Sequence, residues 1–303
     1  MSSPLVFALP GQTSFAENLC EHLDTDLADV TMRRFPDGET YVRVEQSSED
    51  TGCEDRQAVV VCSLDDPDLK ILPLFFLADT LRDLGVTRVG LVAPYLAYMR
   101  QDARFRPGEG ITSRYFAGMA ERHFDWLVTV DPHLHRYDSL SEIYSIDTTV
   151  VHAAEPAAAW IAANVERPLL IGPDVESEQW VAEVARHADA PAIVLEKVRR
   201  GDREVEISVP NVDSWLEHTP VLFDDIISTG HTMIETIRHL RTTAMKPPVV
   251  AGVHGLFADD AHSTLLDAGA ARVVTTNTVA HASNAVDVCG PVANAVRRIL
   301  SGG

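Results

Sequence analysis

The stretch FDDIISTGHT, residues 223–232, concentrates groups that can do chemistry. Asp224 and Asp225 bring two adjacent carboxylates. Ser228, Thr229 and Thr232 bring hydroxyls, and Gly230 permits a tight turn between them. The apolar run Val221-Leu222-Phe223 precedes the acids and reads as a buried strand, with the acids at its C-terminal end. Past His231 the chain has helical periodicity up to Leu240. A helix starting there aims unpaired N–H groups and the positive end of its dipole into the turn, which is how a phosphate is held. Two carboxylates beside a phosphate repel it unless they are engaged elsewhere. Sugar hydroxyls or a metal ion are the natural partners, so the stretch reads as a site for a phosphorylated sugar. Ser228–Thr232 alone would equally be an N-capped helix. The strand and acid pair ahead of it favour the chemical reading.

Other groups stand out against the background. The chain of 303 residues carries 45 Asp and Glu against 25 Lys and Arg, a formal net charge of −20. Such a field repels duplex nucleic acid, and no nucleic-acid partner is expected. Basic clusters are correspondingly informative. Lys70, Lys197 and Lys246 are the lysines, and Lys197 falls in a basic island with Arg199, Arg200 and Arg203. Arg100, Arg104 and Arg106 form a second cluster. His133 and His135 follow an apolar run in VTVDPHLH, and Pro173-Asp174 follows another in IGPDVESEQW.

These residues need elements to position them. Short apolar runs at Leu5–Leu9, Ala58–Cys62, Arg88–Ala93, Leu127–Val130, Leu169–Ile171, Ala192–Leu195, Val221–Phe223, Val249–Val253 and Arg272–Thr275 alternate with amphipathic stretches. Among the latter are Leu69–Leu84, Ala153–Ala163, Glu178–His187 and Thr232–Leu240. This alternation predicts an α/β fold with mainly parallel sheets flanked by helices. The first half echoes the second: each has a strand, an Asp-Asp pair (Asp65-Asp66 and Asp224-Asp225), a helix and a second strand. The echo predicts two tandem domains, 1–146 and 147–303. Ala192–Leu195 and Val205–Val209 read as a hairpin presenting the basic island as a flap. No apolar run of membrane-spanning length occurs, and the N-terminus reads as a first strand rather than a secretory signal. The cysteines Cys20, Cys53, Cys62 and Cys289 match no zinc spacing, so a reduced, cytoplasmic protein is expected.

FDDIISTGHT resembles the phosphoribosyl-diphosphate-binding signature of type I phosphoribosyltransferases and ribose-phosphate diphosphokinases. The resemblance implies two phosphoribosyltransferase-like domains, with Asp224 and Asp225 on the ribose hydroxyls. Ser228, Thr229, Gly230, His231 and Thr232 would hold the 5-phosphate. His231 stands where many relatives have a small residue. Further stretches are similar to the diphosphokinase branch. RRFPDGETYVRV resembles its Phe-x-Asp-Gly-Glu segment, which implies that Phe35, Asp37 and Glu39 meet the adenine of ATP, often across a subunit interface. PYLAYMRQDARFRPGEGIT resembles its Tyr-x-Arg-Gln-Asp segment and implies ATP contacts from Arg100, Gln101 and Asp102. VTVDPHLH resembles the motif whose His binds Mg²⁺, which implies His133, with His135 as a competitor. IGPDVESEQW resembles the diphosphate loop and implies Asp174 as a metal ligand, but Glu176-Ser177 replaces the usual Gly pair. LEKVRRGDREVEIS is similar to the flexible catalytic loop, with Lys197 and Arg199 stabilising the transferring group.

The implied reaction transfers the diphosphoryl group of ATP to the anomeric hydroxyl of ribose 5-phosphate, with Mg²⁺, in a homo-oligomer (dimer or hexamer). Three other readings stay open, one through the FDDIISTGHT motif itself and two through Glu176-Ser177 and His231. They are a non-catalytic regulatory relative, a phosphoribosyltransferase, and a diphosphokinase with another phosphosugar acceptor.

Overall fold

The apolar runs form parallel strands whose residues are buried on both sheet faces, and the computed structural model gathers them into two units. It describes residues 3–45, 52–173, 177–200, 204–208 and 213–302, with the backbone alone for 196–200, 204–208 and 213. One unit comprises Met1–His152 and Cys289–Gly303, the other Ala153–Val288.

The first unit runs β1 (Leu5–Ala8), α1 (Thr13–Leu23), β2 (Val30–Arg34), β3 (Thr40–Val44), β4 (Gln57–Val61), α2 (Pro67–Asp83), β5 (Arg88–Ala93), α3 (Thr112–Ala120), β6 (Trp126–Val130) and β7 (Asp147–Val151). Its sheet has the order β1-β4-β5-β6-β7, with every pairing parallel. Strands β2 and β3 form a separate antiparallel hairpin across the expected Pro-Asp-Gly turn, with Gly38 at φ 96°.

The second unit runs α4 (Ala154–Asn164), β8 (Pro168–Gly172), α5 (Glu178–Ala188), β9 (Ala192–Val194), β10 (Glu196–Arg200), β11 (Glu204–Ser208), β12 (Thr219–Ile227), α6 (His231–Leu240), β13 (Val249–Gly255), α7 (Ala261–Ala268), β14 (Arg272–Thr276) and β15 (Asn284–Val286). Its sheet order is β15-β14-β13-β12-β8-β9, again parallel throughout. The final helix, α8 (Cys289–Leu300), returns to the first unit, where it packs on α1, β6 and β7. Arg88 Nη1 donates to the carbonyl of Ile299 at 3.2 Å.

The α/β class with two mainly parallel sheets is the one expected, and four details differ. The chain divides after His152 and not at 147, because Asp147–Val151 completes the first sheet by pairing with β6. The last helix also leaves the expected second domain for the first unit. The hairpin carrying the basic island is β10–β11, since Ala192–Val194 instead extends the main sheet beside β8. Lys197 and Arg199 therefore lie within a hairpin strand. Finally, the two Asp-Asp pairs are not equivalent. Asp66 directly caps α2, whereas Asp224 and Asp225 lie inside β12, and Gly230 caps α6.

Candidate active site

The sugar-phosphate candidate is built on β12, the longest strand of the second unit. Its ladder with β8 stops at Leu222 opposite Ile171, while its ladder with β13 continues to Ile227 opposite Gly255. Beyond Leu222 the strand is paired on the β13 side. Asp224 and Asp225 fall on this extension, so they lie within the strand and not after it. As strand neighbours they project towards opposite sheet faces. Asp225 is 4% exposed and Asp224 is half-buried, with its Oδ1 accepting the N–H of Asp225 at 3.0 Å. Asp224 is opposite Gly252, where a Cβ would approach Ile227 Cδ1 to 2.7 Å, so glycine there leaves room for the Ile227 side chain.

The chain then turns through Ser228, Thr229 and Gly230 into α6. Gly230 has φ 66° and ψ 9°, the left-handed region that an L side chain avoids. It makes no side-chain cap, so the first-turn N–H groups of α6 get none from that position. The helix is fixed from behind. Met233, Ile234, Ile237 and Leu240 are all buried and pack with Leu222, Val250 and Leu265 in one cluster. Thr229 and His231 are exposed, and Ser228, Gly230 and Thr232 are half-buried. The structure thus brings all seven predicted sugar-phosphate residues onto one strand, turn and helix start. The loop after β13 supports this turn: the Ile227 carbonyl accepts from Leu256 and Phe257, each at 3.0 Å, and the Ser228 carbonyl accepts from Ala258 at 3.2 Å. Phe257 in turn packs with His262 and His281. Burial, and then the neighbouring His262, hold His281 below the ordinary histidine range.

The first unit carries the predicted nucleotide residues. Phe35, Asp37 and Glu39 line the exposed tip of the β2–β3 hairpin. Phe35 N–H donates to the Glu39 carbonyl at 2.8 Å, and Asp37 Oδ1 accepts the Glu39 N–H at 3.3 Å. Arg33 lies over the rings of Phe35 and Tyr41, 4.6 and 4.3 Å from their centroids. Arg100 is exposed, whereas Gln101 is half-buried and accepts from Thr112 Oγ1 at 3.4 Å. Asp102 is 6% exposed and pairs with Arg136 Nη1 at 2.8 Å, and its carbonyl accepts from the Tyr137 hydroxyl. It therefore anchors the segment.

His133 and His135 lie edge to face, with ring centroids 3.9 Å apart. Two residues before His133, Asp131 adopts φ 32° and its buried carboxylate meets His152 Nδ1 at 2.8 Å. Sequence reading passed over this contact. Its only local signal was an Asp-Pro pair directly after a buried strand. Asp174, Glu176 and Arg203 lie outside the described residues, as do the side chains of Lys197 and Arg199. Among the described residues no group of three or more His, Cys, Asp and Glu is arranged to hold a metal ion. None of the four cysteines is in a disulfide, all are buried, and burial pushes the Cys62 thiol up to about 12. No helix among the described residues is long and apolar enough to cross a membrane.

Comparison with known proteins agrees along both units. Residues 5–123 match the model for the N-terminal domain of ribose phosphate pyrophosphokinase, and residues 139–290 match the phosphoribosyl transferase domain. A ribose-phosphate pyrophosphokinase of Methanopyrus kandleri is 35% identical over 298 residues, covering 97% of this chain and 99% of the relative. One from Saccharolobus solfataricus is 33% identical over 267 residues, covering 87% and 89%. The crystal structure of phosphoribosylpyrophosphate synthetase from Mycobacterium smegmatis has the same fold, with a TM-score of 0.86 at 24% identity over the whole of both chains. With family models matching both units and relatives aligned over nearly its full length, the chain belongs to the ribose-phosphate pyrophosphokinase family.

Proposed function

We propose that this protein catalyses the reaction of ATP with ribose 5-phosphate to give AMP and 5-phosphoribosyl 1-diphosphate. The observation that carries the reading is the one-sided extension of β12, which delivers Asp224 and Asp225 directly ahead of the left-handed turn at Gly230 and the start of α6. Carboxylates accept from the ribose hydroxyls, and the turn and helix N–H groups donate to the 5-phosphate. The match of residues 5–123 to the N-terminal domain of ribose phosphate pyrophosphokinase favours this reaction over transfer of ribose to a base, which needs no ATP.

In this reading the anomeric hydroxyl attacks the β-phosphorus, AMP leaves, and the β,γ-diphosphoryl group moves as a unit. Such transfer depends mainly on in-line placement and charge neutralisation. Lys197 and Arg199 meet the charge on the transferring group. Phe35, Asp37 and Glu39 hold the adenine, and Arg100, Gln101 and Asp102 position the nucleotide. His133 and Asp174 would hold Mg²⁺, which would supply neutralisation of phosphate charge. Mg²⁺ is usually held by one or two carboxylates plus substrate phosphates, and Asp174 is the carboxylate of this pair. We also assign the protein to the cytoplasm, on four buried cysteines none of which is in a disulfide, and to a homo-oligomer, on the exposed hairpin tip bearing Phe35.

The test is AMP release from Mg-ATP with ribose 5-phosphate present or omitted. Sugar-dependent AMP supports the reading. AMP release that ignores the sugar phosphate, or its absence altogether, removes it.

A further inference from the structure

Tyr98 lies just before Arg100 and adopts φ 63°. A bulky L residue reaches the left-handed region only where its surroundings over-determine it. Three contacts do so here. The ring packs against Phe116 of α3, with centroids 5.2 Å apart. The flanking Ala97 and Met99 are buried. The Tyr98 hydroxyl donates to the carboxylate of Asp68 in the first turn of α2. Burial and then this hydrogen bond push the Tyr98 hydroxyl up to about 12, so it stays a donor at neutral pH.

The preceding loop is tied to the same region. Leu64 N–H donates to the Tyr95 carbonyl at 2.9 Å, and Lys70 Nζ holds the Ser63 carbonyl at 3.0 Å. On the far side, Asp102 is fixed by Arg136. Arg100 and Gln101 thus lie on a short span held at both ends, by the Asp68–Tyr98 contact on one side and the Asp102–Arg136 pair on the other.

We propose that Asp68 and Tyr98 are positioning residues, whose hydrogen bond holds the strained backbone that presents Arg100 and Gln101 to the nucleotide. The proposal rests on the reading of Arg100 and Gln101 as ATP contacts. Small displacements of a binding group can lower activity by orders of magnitude, and Arg100 is an exposed side chain.

The experiment compares full-length parent, Arg100→Ala, Tyr98→Phe, Asp68→Ala, Asp68→Asn and the double Tyr98→Phe/Asp68→Ala, by steady-state kinetics in each substrate and by melting curves. Tyr98→Phe keeps the ring and Asp68→Asn keeps an accepting oxygen, so both should fold as the parent does. Tyr98→Phe and Asp68→Ala should each raise KM for ATP at least about tenfold while KM for ribose 5-phosphate stays within about twofold. Asp68→Asn should restore most of the parental value. The double variant should be no worse than either single one, because one bond is lost. If Arg100→Ala raises KM for ATP and Tyr98→Phe does not, the positioning role is overturned and the nucleotide reading survives. If Arg100→Ala itself keeps the parental KM, the nucleotide reading fails and takes the proposal with it. Equal changes for both substrates, unrescued by Asn, also overturn it by making the contact merely structural.

Discussion

Replacing Gly230 by alanine tests the turn with a minimal perturbation. A Cβ at this position would lie 3.5 Å from the Leu265 side chain, an ordinary contact on the core side, so the methyl group meets no clash. What remains is the backbone. An L residue at φ 66° is disfavoured by ~1–2 kcal/mol relative to glycine. Restricting the unfolded chain returns ~0.4–1 kcal/mol. The net loss of stability should therefore be about 1 kcal/mol if the turn keeps its shape. Some of the strain can instead relax in the free enzyme by rotating the turn, which moves the N–H groups meant for the phosphate. Binding must then pull the turn back, and the apparent affinity falls by the population of the competent state. A relaxation worth ~1–2 kcal/mol corresponds to about a 5- to 30-fold rise in KM for ribose 5-phosphate. KM for ATP should not change. Urea denaturation and kinetics in each substrate measure both quantities. A variant that loses the stability and keeps the parental KM for the sugar phosphate would remove this turn from ligand binding. One that keeps both would refute the backbone argument as well.

Two further outcomes are expected. Lys197→Ala and Arg199→Ala should each lower kcat by at least about a hundredfold with the fold intact by circular dichroism, and the double variant should fall short of their product, because both act on one transferring group. Cys62 should make stability sensitive to alkali: its pKa rises on folding from 9.0 to about 12, so the buried thiol contributes stability present below pH 9 and lost as pH rises towards 12. Denaturation midpoints in a pH series measure this, and Cys62→Ala should flatten the slope above pH 9.

Much of this was legible in the sequence because parallel strands buried on both faces leave uninterrupted apolar runs, as in Ala58–Val61 and Val89–Ala93. The Pro-Asp-Gly turn was equally plain, since it needs residue types suited to its dihedrals. The length of β12 was not. Acids in mid-strand normally mark a strand end, and what permits them here is that β8 stops at Gly172, a property of a neighbour distant in sequence. The flap was misplaced for a related reason. The apolar run Ala192–Leu195 reads as a hairpin strand, although the alternation of charged and apolar residues in Glu204–Ile207 is the better signal for one. Arg200 is in register with Glu204 in that hairpin. The side-chain contacts of Asp102, Asp131 and Asp68 could not be read. Their partners Arg136, His152 and Tyr98 lie far along the chain, and only the fold brings them together.

The central claim is that the β,γ-diphosphoryl group of ATP moves intact to the anomeric oxygen of ribose 5-phosphate. Phosphorus NMR of the protein turning over Mg-ATP and ribose 5-phosphate addresses it directly. The account predicts AMP as the nucleotide product, in step with a pair of mutually coupled diphosphate signals, one of them also coupled to the proton at C1 of the sugar. ADP with a sugar carrying a single phosphate at C1 beside its 5-phosphate, or AMP with free pyrophosphate from the first turnovers, would contradict it.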